Sequence, residues 1–163
     1  MKLLELKETT QADLKQVQAL WACGEVMKFV GFPNGLHQTD AQMEEWLSWI
    51  ISARPRVNHY SIYEEGIYCG ESFYQIDETT KSATLDIKLL PSARGRGIAA
   101  RALSHAIEAA FANGAEKVWV DPNPLNQKAI ALYERLGMQR KPMPKELLED
   151  ESADALYFEL QKR

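Results

Sequence analysis

Two arginines and two glycines alternate in one short stretch, Arg94-Gly95-Arg96-Gly97, which precedes an apolar helical pattern. Glycine leaves out the Cβ atoms that would hold a ligand away from the backbone. The unpaired N–H groups of a first helical turn point at whatever lies in front of them, with the positive end of the helix dipole behind. This arrangement binds pyrophosphate, and the two arginines add positive charge. The stretch therefore predicts an anion-binding site.

A dinucleotide fingerprint is one interpretation of this stretch. Gly95, Gly97 and Ala100 have its spacing, and Asp121 falls at the end of the next strand, where a ribose-binding acid belongs. The match is weak, because residues 91–94 separate the glycines from the preceding strand and the required parallel sheet is missing. A phosphate loop of the Walker type is excluded, since no Gly-Lys-Ser/Thr follows.

The anion-binding stretch lies between a predicted strand and a predicted helix. Residues 84–90 are mostly β-branched or leucine and stop at Pro91, which favours a strand. The apolar residues after the stretch recur at three- and four-residue steps: Ala99, Ala102, Leu103, Ala106, Ile107, Ala110 and Phe111. Asn113 and Gly114 then supply a C-terminal stop. A strand, a glycine-rich turn and a helix are therefore expected in this order.

Most of the other strands are expected to pair antiparallel. Apolar and β-branched runs predict them at 2–7, 59–63, 67–75, 116–121, 155–160 and, more weakly, 138–143. Short turns at 64–66 and 77–81 join three strands into a meander. Residues 116–121 are expected to run parallel to residues 84–90, because a helical crossover separates the two strands.

Three further helices complete the pattern. They are expected after the cap at Thr9–Thr10, between Thr39 and Pro55, and between Asn126 and Gly137. The acidic run at 145–154 is typical of a loop or a short helix. Together the elements predict an α/β (α+β) fold in one domain, residues 1–163. A mixed, mostly antiparallel sheet of about six or seven strands carries helices on both faces.

The overall composition is that of an ordinary soluble protein. The chain has 163 residues, of which 45% are apolar and 26% charged, and no run approaches a membrane span. A net charge of −4 argues against nucleic-acid binding. Cys23 and Cys69 match no metal or disulfide spacing, so we expect no metal and a reducing cytoplasm. His37, His59 and His105 show no pairing with an acid.

Two blocks of the sequence together resemble the cofactor site of the GCN5-related N-acetyltransferase (GNAT) superfamily. Arg94, Gly97 and Ala99 match its acetyl-CoA signature, Gln/Arg-x-x-Gly-x-Gly/Ala. The second block is Asp121-Pro122-Asn123-Pro124-x-Asn126-x-x-Ala129-Ile130-x-x-Tyr133-Glu134-x-x-Gly137. Its Asp-Pro-x-Pro-x-Asn part is most similar to that of aminoglycoside 6′-N-acetyltransferases. The specific resemblance covers residues 83–138.

The resemblance implies roles for residues of both blocks. The strand before the signature should splay from its parallel neighbour, with the pantetheine arm of CoA in the gap and the pyrophosphate on the signature amides. Asn126 would hydrogen-bond the arm, and Tyr133 would lie beside the sulfur. The residues expected to bind the cofactor are Leu89, Leu90, Arg94, Gly95, Arg96, Gly97, Ile98, Ala99, Asn126 and Ala129.

Acetyl transfer to an amine would assign a catalytic task to Tyr133. The amine attacks the thioester carbonyl, so the site must supply a neutral amine, polarise the carbonyl and protonate the departing thiolate. A tyrosine, with a reference pKa of about 10 against about 8.5 for a thiol, can give its proton to the thiolate. Backbone N–H groups near Leu89, unpaired if the strands splay, can donate to the carbonyl oxygen. An aromatic on an apolar helical stripe is otherwise usually a core residue.

Asp86 is the candidate for handling the amine. It lies in an otherwise apolar strand, and a similarly placed aspartate occurs in aminoglycoside 6′-N-acetyltransferases. A carboxylate there can bind a substrate ammonium and take its proton, directly or through water. Two alternatives stay open. Glu71 on the adjacent hairpin takes this role, or Asp86 is a half-solvated partner of Lys88.

These observations predict an acetyl-CoA-dependent N-acetyltransferase that acts on a primary amine. An aminoglycoside-like or polyamine-like small molecule is the expected acceptor, with no nucleic-acid or membrane partner and a monomer or homodimer as the assembly. One alternative is an acetyltransferase for a protein N-terminus or lysine. An alternative of another class is a non-catalytic CoA or nucleotide binding module, which Tyr133 disfavours because binding alone needs no acid.

Overall fold

One seven-stranded sheet organises the computed structural model, which describes residues 2–148 and 155–163. Its strands are β1 (Leu4–Glu8), β2 (Val57–Glu64), β3 (Ile67–Asp77), β4 (Ser82–Leu89), β5 (Lys117–Val120), β6 (Gln139–Arg140) and β7 (Phe158–Gln161). Their order across the sheet is β1-β2-β3-β4-β5-β7-β6. Neighbouring strands are antiparallel except β4 and β5, which are parallel. The predicted mixed, mostly antiparallel architecture is confirmed.

Helices pack on both faces of this sheet. They are α1 (Leu14–Trp21), α2 (Gly24–Met27), α3 (Asp40–Ala53), α4 (Ile98–Ala112) and α5 (Gln127–Arg135). The predicted capping box begins α3, where the Thr39 side chain accepts from the Gln42 N–H and the Gln42 side chain accepts from the Thr39 N–H. Within residues 2–148 and 155–163, none of the helices has the length and apolar character that a bilayer crossing requires.

The main hydrophobic core lies between the sheet and α4. Alternate residues of β4, among them Ala83 and Leu85, pack there against Leu103 and Ile107 of the helix. Tyr133 of α5 belongs to the same cluster. The burial of the apolar stripe of α4 holds the helix against the strands, and so the turn that begins it stays next to the end of β4.

The opposite face of the sheet carries polar side chains. His59 on β2, Phe73 on β3 and Asp86 on β4 lie opposite one another in the strand register, and α1 and α3 cover the β2 and β3 part of this face. Trp46 of α3 contacts the His59 ring edge-on, with centroids 4.7 Å apart. The two faces of β4 are therefore chemically different, since one is apolar and the other is charged.

β4 and β5 pair over a short distance only. The parallel register joins Ser82–Thr84 to Lys117–Trp119, whereas β4 continues to Leu89 beside β3. Beyond Thr84 the edge of β4 that faces β5 has no strand partner in the described sheet. The predicted splay is thus a gap that opens toward the C-terminal end of β4, next to the turn that leads into α4.

The C-terminal strands differ from the prediction in their limits. β6 covers only Gln139–Arg140, because Pro142 lacks the N–H that would extend the pairing. β7 begins at Phe158 rather than at residue 155. The predicted acidic segment starts with a short 3-10 turn at Lys145–Leu147, and its part from 149 to 154 lies outside the described residues.

Candidate active site

The glycines of the anion-binding stretch adopt backbone conformations that other residues rarely take. Gly95 has φ of 83° and Gly97 has φ of 80°, and a Cβ added at either would meet nothing within 4 Å. Gly97 is the N-cap of α4 and provides no capping side chain. The first N–H groups of α4 therefore face open space, which is the arrangement that an anion such as pyrophosphate requires.

The two arginines of the stretch differ in their partners. Arg94 donates to the carbonyl oxygen of Leu89, at 3.2 and 3.3 Å, and to that of Glu25 at 3.4 Å. Arg96 donates to the carbonyl of Ser92 and forms an ion pair with Glu64, both at 2.8 Å. The predicted positive charge is therefore partly balanced at Arg96, and the backbone amides contribute most directly to the attraction of an anion.

The gap between β4 and β5 exposes backbone donors of β4. The N–H of Leu90 donates to the carbonyl of Cys69 on β3 at 2.8 Å. Because hydrogen bonds alternate along an antiparallel ladder, the N–H groups of Ile87 and Leu89 point the other way, into the gap. That of Ile87 donates to the Asp86 carboxylate at 2.9 Å. Leu89 thus directs its N–H into the gap where the sequence predicts a carbonyl-binding donor.

α5 borders the same gap from the β5 side. Its N-cap, Asn126, accepts a hydrogen bond from the Ala129 N–H at 3.2 Å, as predicted for a helix cap. Tyr133 is 7% exposed, and its ring lies 6.3 Å from that of Phe158. Burial raises the pKa of Tyr133, and the carboxylates of Asp86 and Asp121 raise it further. The Tyr133 phenol is therefore protonated at neutral pH and electrostatically coupled to Asp86.

Asp86 occupies the gap side of the charged face. Its side chain is 40% exposed and forms an ion pair with Lys88, whose side chain is 12% exposed. Burial lowers the pKa of Lys88, but Asp86 and Glu71 outweigh burial, and the net shift is upward. The ammonium of Lys88 is thus permanently charged at neutral pH. Asp86 has both an exposed carboxylate and the Lys88 pairing that the sequence left as an alternative.

Glu71 lies deep in the interior, across from Lys88 in the β3–β4 register. It is 3% exposed; its carboxylate accepts from the Trp21 indole N–H and lies 2.9 Å from the Nε2 atom of His59. Burial raises the pKa of Glu71, but His59, Lys88 and the hydrogen bonds lower it to about 2. Glu71 is therefore ionised and enclosed, whereas the Asp86 carboxylate is exposed to solvent.

The prediction that His59 has no acidic partner is wrong. The Glu71 carboxylate lies 2.9 Å from Nε2 of His59, and Thr9 Oγ1 lies 2.7 Å from the other ring nitrogen. A register shift between Ile62 and Tyr63 explains the error, because the extra residue in β3 moves Glu71 to the face that carries His59. Without this extra residue, the side chains of Glu71 and His59 would lie on opposite faces of the sheet.

One feature of the sequence marks the position of this shift. Gly70 follows the extra residue, has φ of 154°, and would place a Cβ 2.0 Å from the carbonyl oxygen of Lys88. A glycine inside a strand pattern is a known signal of a bulge or a close backbone approach. The signal was present, but the periodicity alone does not tell which side chains a bulge brings together.

A family model for the acetyltransferase (GNAT) domain matches residues 4–139 of the chain, which is most of its length. The chain belongs to the GNAT acetyltransferase family. It is therefore an acyltransferase that uses acetyl-CoA as its acetyl donor, and the predicted family, enzyme class and co-substrate are confirmed. No curated protein shows significant sequence similarity to it.

Solved structures agree with the GNAT fold over nearly the whole chain. A spermidine N-acetyltransferase from Vibrio cholerae, in complex with CoA and spermine, has a TM-score of 0.82 at 19% identity and covers 97% of this chain and 95% of its own. RimL, a ribosomal α-N-protein acetyltransferase in complex with coenzyme A, has a TM-score of 0.79 at 16% identity, with 97% and 93% covered. A ribosomal-protein-alanine N-acetyltransferase from Brucella melitensis has a TM-score of 0.74 at 20% identity, with 98% and 99% covered.

The candidate residues from the sequence lie around one gap of the GNAT fold, the gap between β4 and β5. The signature turn and the N-terminus of α4 lie at the end of β4, and Leu89 and Asp86 lie along its open edge. Tyr133 approaches from α5, within electrostatic reach of Asp86. The sequence offered the Asp86–Lys88 pairing as an alternative, but it did not predict that Glu71 and His59 continue from Lys88 into the interior as one set of charged and polar groups.

Proposed function

We propose that this GNAT enzyme transfers the acetyl group of acetyl-CoA to a primary amine of a small cationic molecule of the polyamine or aminoglycoside type. The observation that carries the proposal is an exposed carboxylate, Asp86, on the open edge of β4, together with a buried phenol, Tyr133 of α5, whose pKa this carboxylate helps to raise. We further propose that residues 1–163 act as one domain, as a monomer or homodimer, without a nucleic-acid or membrane partner.

The cofactor side of the proposed site uses backbone groups. The amides from Gly95 to Ala99 would hold the pyrophosphate in the open space in front of α4, with the Arg94 side chain beside them, whereas the Arg94 N–H already donates to Pro91. Leu89 and Leu90 would line the gap from β4, and Asn126 and Ala129 from α5. The N–H of Leu89 is then available to polarise the thioester carbonyl oxygen as negative charge develops on it.

The acceptor side uses the two ionisable side chains. Asp86 would hold the substrate ammonium and take its proton, directly or through water, so that a neutral amine attacks the carbonyl carbon. A C–N bond forms and the C–S bond breaks, and the phenol of Tyr133 gives its proton to the sulfur that leaves. The proton that the attacking nitrogen loses on becoming the amide goes to solvent, from which the phenol is reprotonated. A phenol whose pKa is raised by burial keeps this proton in the resting enzyme.

Two kinds of acceptor are represented among the similar structures. The spermidine N-acetyltransferase from Vibrio cholerae supports a polyamine-like acceptor, and its TM-score of 0.82 is above those of the two ribosomal-protein acetyltransferases named above, 0.79 and 0.74. A protein N-terminus is therefore the alternative acceptor. The alternative of another class, a CoA-binding module without activity, does not agree with the GNAT acetyltransferase assignment reported above.

The release of CoA thiol from acetyl-CoA tests this proposal. Spermidine, an aminoglycoside and a short peptide with N-terminal alanine would be compared as acceptors at pH 8. We expect turnover with spermidine or the aminoglycoside to exceed turnover with the peptide by at least about tenfold in kcat/KM. Preferential turnover of the peptide would establish the protein-directed alternative, and no turnover with any of the three amines would contradict the proposed acceptor class.

The variant Asp86→Asn tests the carboxylate in the same assay. The amide keeps the shape of the side chain but cannot take a proton, so kcat/KM for the amine should fall about a hundredfold, or about 2.7 kcal/mol of transition-state stabilisation. Acetyl-CoA binding, followed by the rise in Tm, should persist. Normal kcat/KM for this variant, with loss in Glu71→Gln, would move the role to Glu71.

A further inference from the structure

The charged set behind Asp86 contains more groups than proton transfer at the amine requires. Lys88 lies between two carboxylates, the exposed one of Asp86 and the enclosed one of Glu71. It forms an ion pair with the first and faces the second directly across the β3–β4 ladder. Glu71 is the cross-strand neighbour of Lys88 and, like Asp86, raises its pKa, so the ammonium of Lys88 interacts with both carboxylates.

Glu71 is held so that it cannot move toward the gap. The indole N–H of Trp21 donates to one carboxylate oxygen, and Nε2 of His59 lies 2.9 Å from the other. Nδ1 of His59 is in turn 2.7 Å from the Thr9 hydroxyl, which lies 2.7 Å from that of Ser61. The negative charge of Glu71 is therefore fixed in position behind Lys88.

The position of Lys88 has a direct consequence for the charge at the gap. A lysine that pairs with Asp86 alone would cancel its charge and leave little attraction for a substrate ammonium. Glu71 attracts the same ammonium from the interior side. Each of the two carboxylates contributes to raising the pKa of Lys88. The charge of Lys88 is thus shared, and Asp86 keeps part of its negative charge for a ligand in the gap.

We propose that Lys88 and Glu71 are positioning residues that set the negative charge which Asp86 presents to the acceptor. Glu71, although no substrate reaches it, would make the site selective for cationic amines over amines that carry a carboxylate beside the nitrogen. This inference rests on the proposed function of Asp86. It deepens that function by assigning the selection of acceptor charge to residues behind the carboxylate.

Opposite effects on the KM of the amine test the inference. Glu71→Gln leaves Lys88 to neutralise Asp86, so the KM for the best acceptor of the panel at pH 8 should rise about tenfold. Lys88→Met removes the competing cation, so the KM should stay at the wild-type value or fall. Loss of fold or of rigidity alone would change both KM values in the same direction.

Two control variants each remove a charge of the same sign from outside the Asp86–Lys88–Glu71 set. Glu159→Gln removes a buried glutamate on β7 that lies within 3.5 Å of Lys141, and Lys15→Met removes an exposed lysine that pairs with Asp40 at 2.9 Å. Both should leave the KM for the amine within about twofold of wild type. Acetyl-CoA binding, measured by the rise in Tm, should be retained in all four variants.

Each result has a separate meaning. A rise of KM in both Glu71→Gln and Lys88→Met, or no change in Glu71→Gln beyond that of Glu159→Gln, would overturn the positioning role while the proposed reaction stands. A wild-type enzyme that releases no CoA thiol with any acceptor would overturn the proposed function itself. If Glu71→Gln does not fold, a rise of KM in Lys88→Met alone still overturns the inference, and a fall supports it.

Discussion

The two sides of β4 form their binding groups in different ways. On the α4 side the donors are backbone amides, and their directions follow from the dihedral angles of Gly95 and Gly97. On the α1 and α3 side the groups are side chains from β2, β3 and β4, joined by ion pairs and covered by two tryptophans. The backbone groups on the α4 side thus come from a few consecutive residues. The side-chain groups on the other side depend on the packing of elements that are distant in the sequence.

This difference determines how each side responds to substitution. A backbone site tolerates changes of neighbouring side chains but not a Cβ that fills the space of its ligand. A buried charged set is sensitive to the loss of one member, because the remaining charges stay enclosed without a partner. We therefore expect substitutions on the α4 side to affect cofactor binding, and those on the other side to affect stability and acceptor binding.

The largest effect is expected for Gly97→Val. A branched side chain would occupy the open space in front of α4 and would strain a backbone with φ of 80°. The stabilisation of the wild type by acetyl-CoA, about 2.7 kcal/mol at a hundred times the Kd, should disappear. Differential scanning fluorimetry with acetyl-CoA and with NAD measures it.

Gly66→Val is the matched control for this variant. Gly66 has φ of 77° and equally open surroundings, but it lies in the turn between β2 and β3. The control should lose similar stability and keep the acetyl-CoA response. An acetyl-CoA response that survives in Gly97→Val would contradict a backbone-built cofactor site, and a response to NAD alone would favour the dinucleotide interpretation.

Tyr133→Phe is expected to have the next largest effect. It removes one hydroxyl from a packed ring, so the fold and acetyl-CoA affinity should persist while kcat falls by a factor of about 10² to 10⁴. Tyr68→Phe is a suitable comparison, because Tyr68 is also 7% exposed but belongs to β3. An unchanged kcat, with chemistry rate-limiting, would return Tyr133 to a packing role.

The acid stability of Glu71→Gln tests the charged side. In the wild type the pKa of Glu71 is lowered from 4.5 to about 2, so its ionisation contributes about 3 kcal/mol to the free energy of unfolding above pH 4.5. This contribution is lost as the pH falls from about 4.5 toward 2. Urea unfolding between pH 2 and 7 should give a smaller pH dependence for the variant, and equal slopes would show that Glu71 is not held as an anion.

The smallest effect is expected at Asn126, which has two predicted roles. Asn126→Asp keeps an oxygen that accepts from the Ala129 N–H, so the stability of α5 should be retained. Asn126→Ala removes the cap and should cost about 1 kcal/mol in the free energy of unfolding. If the amide also donates to the pantetheine arm, both variants should bind acetyl-CoA several-fold more weakly by calorimetry, whereas unchanged affinity in Asn126→Asp would leave only the cap.

Local chemistry made much of this molecule predictable. The capping box of α3, the cap at Asn126, the glycines before α4 and the stop at Asn113–Gly114 each depend on residues within a few positions of one another. Such features follow from backbone dihedrals and near-neighbour hydrogen bonds. The sequence by itself therefore determined the order of the elements and the GNAT family, and it predicts where the cofactor binds.

The tertiary structure alone decided which residues surround the proposed acceptor side. The shift between Ile62 and Tyr63 turns Glu71 toward His59, and the packing of α1 brings Trp21 to a residue 50 positions away. The alternation of residues along a strand predicts which side chains share a face only while the register is regular. One extra residue moves all following side chains of that strand to the other face of the sheet. The sequence places Lys88 two positions from Asp86 on one face of β4, whereas only the strand pairing brings Glu71 opposite Lys88.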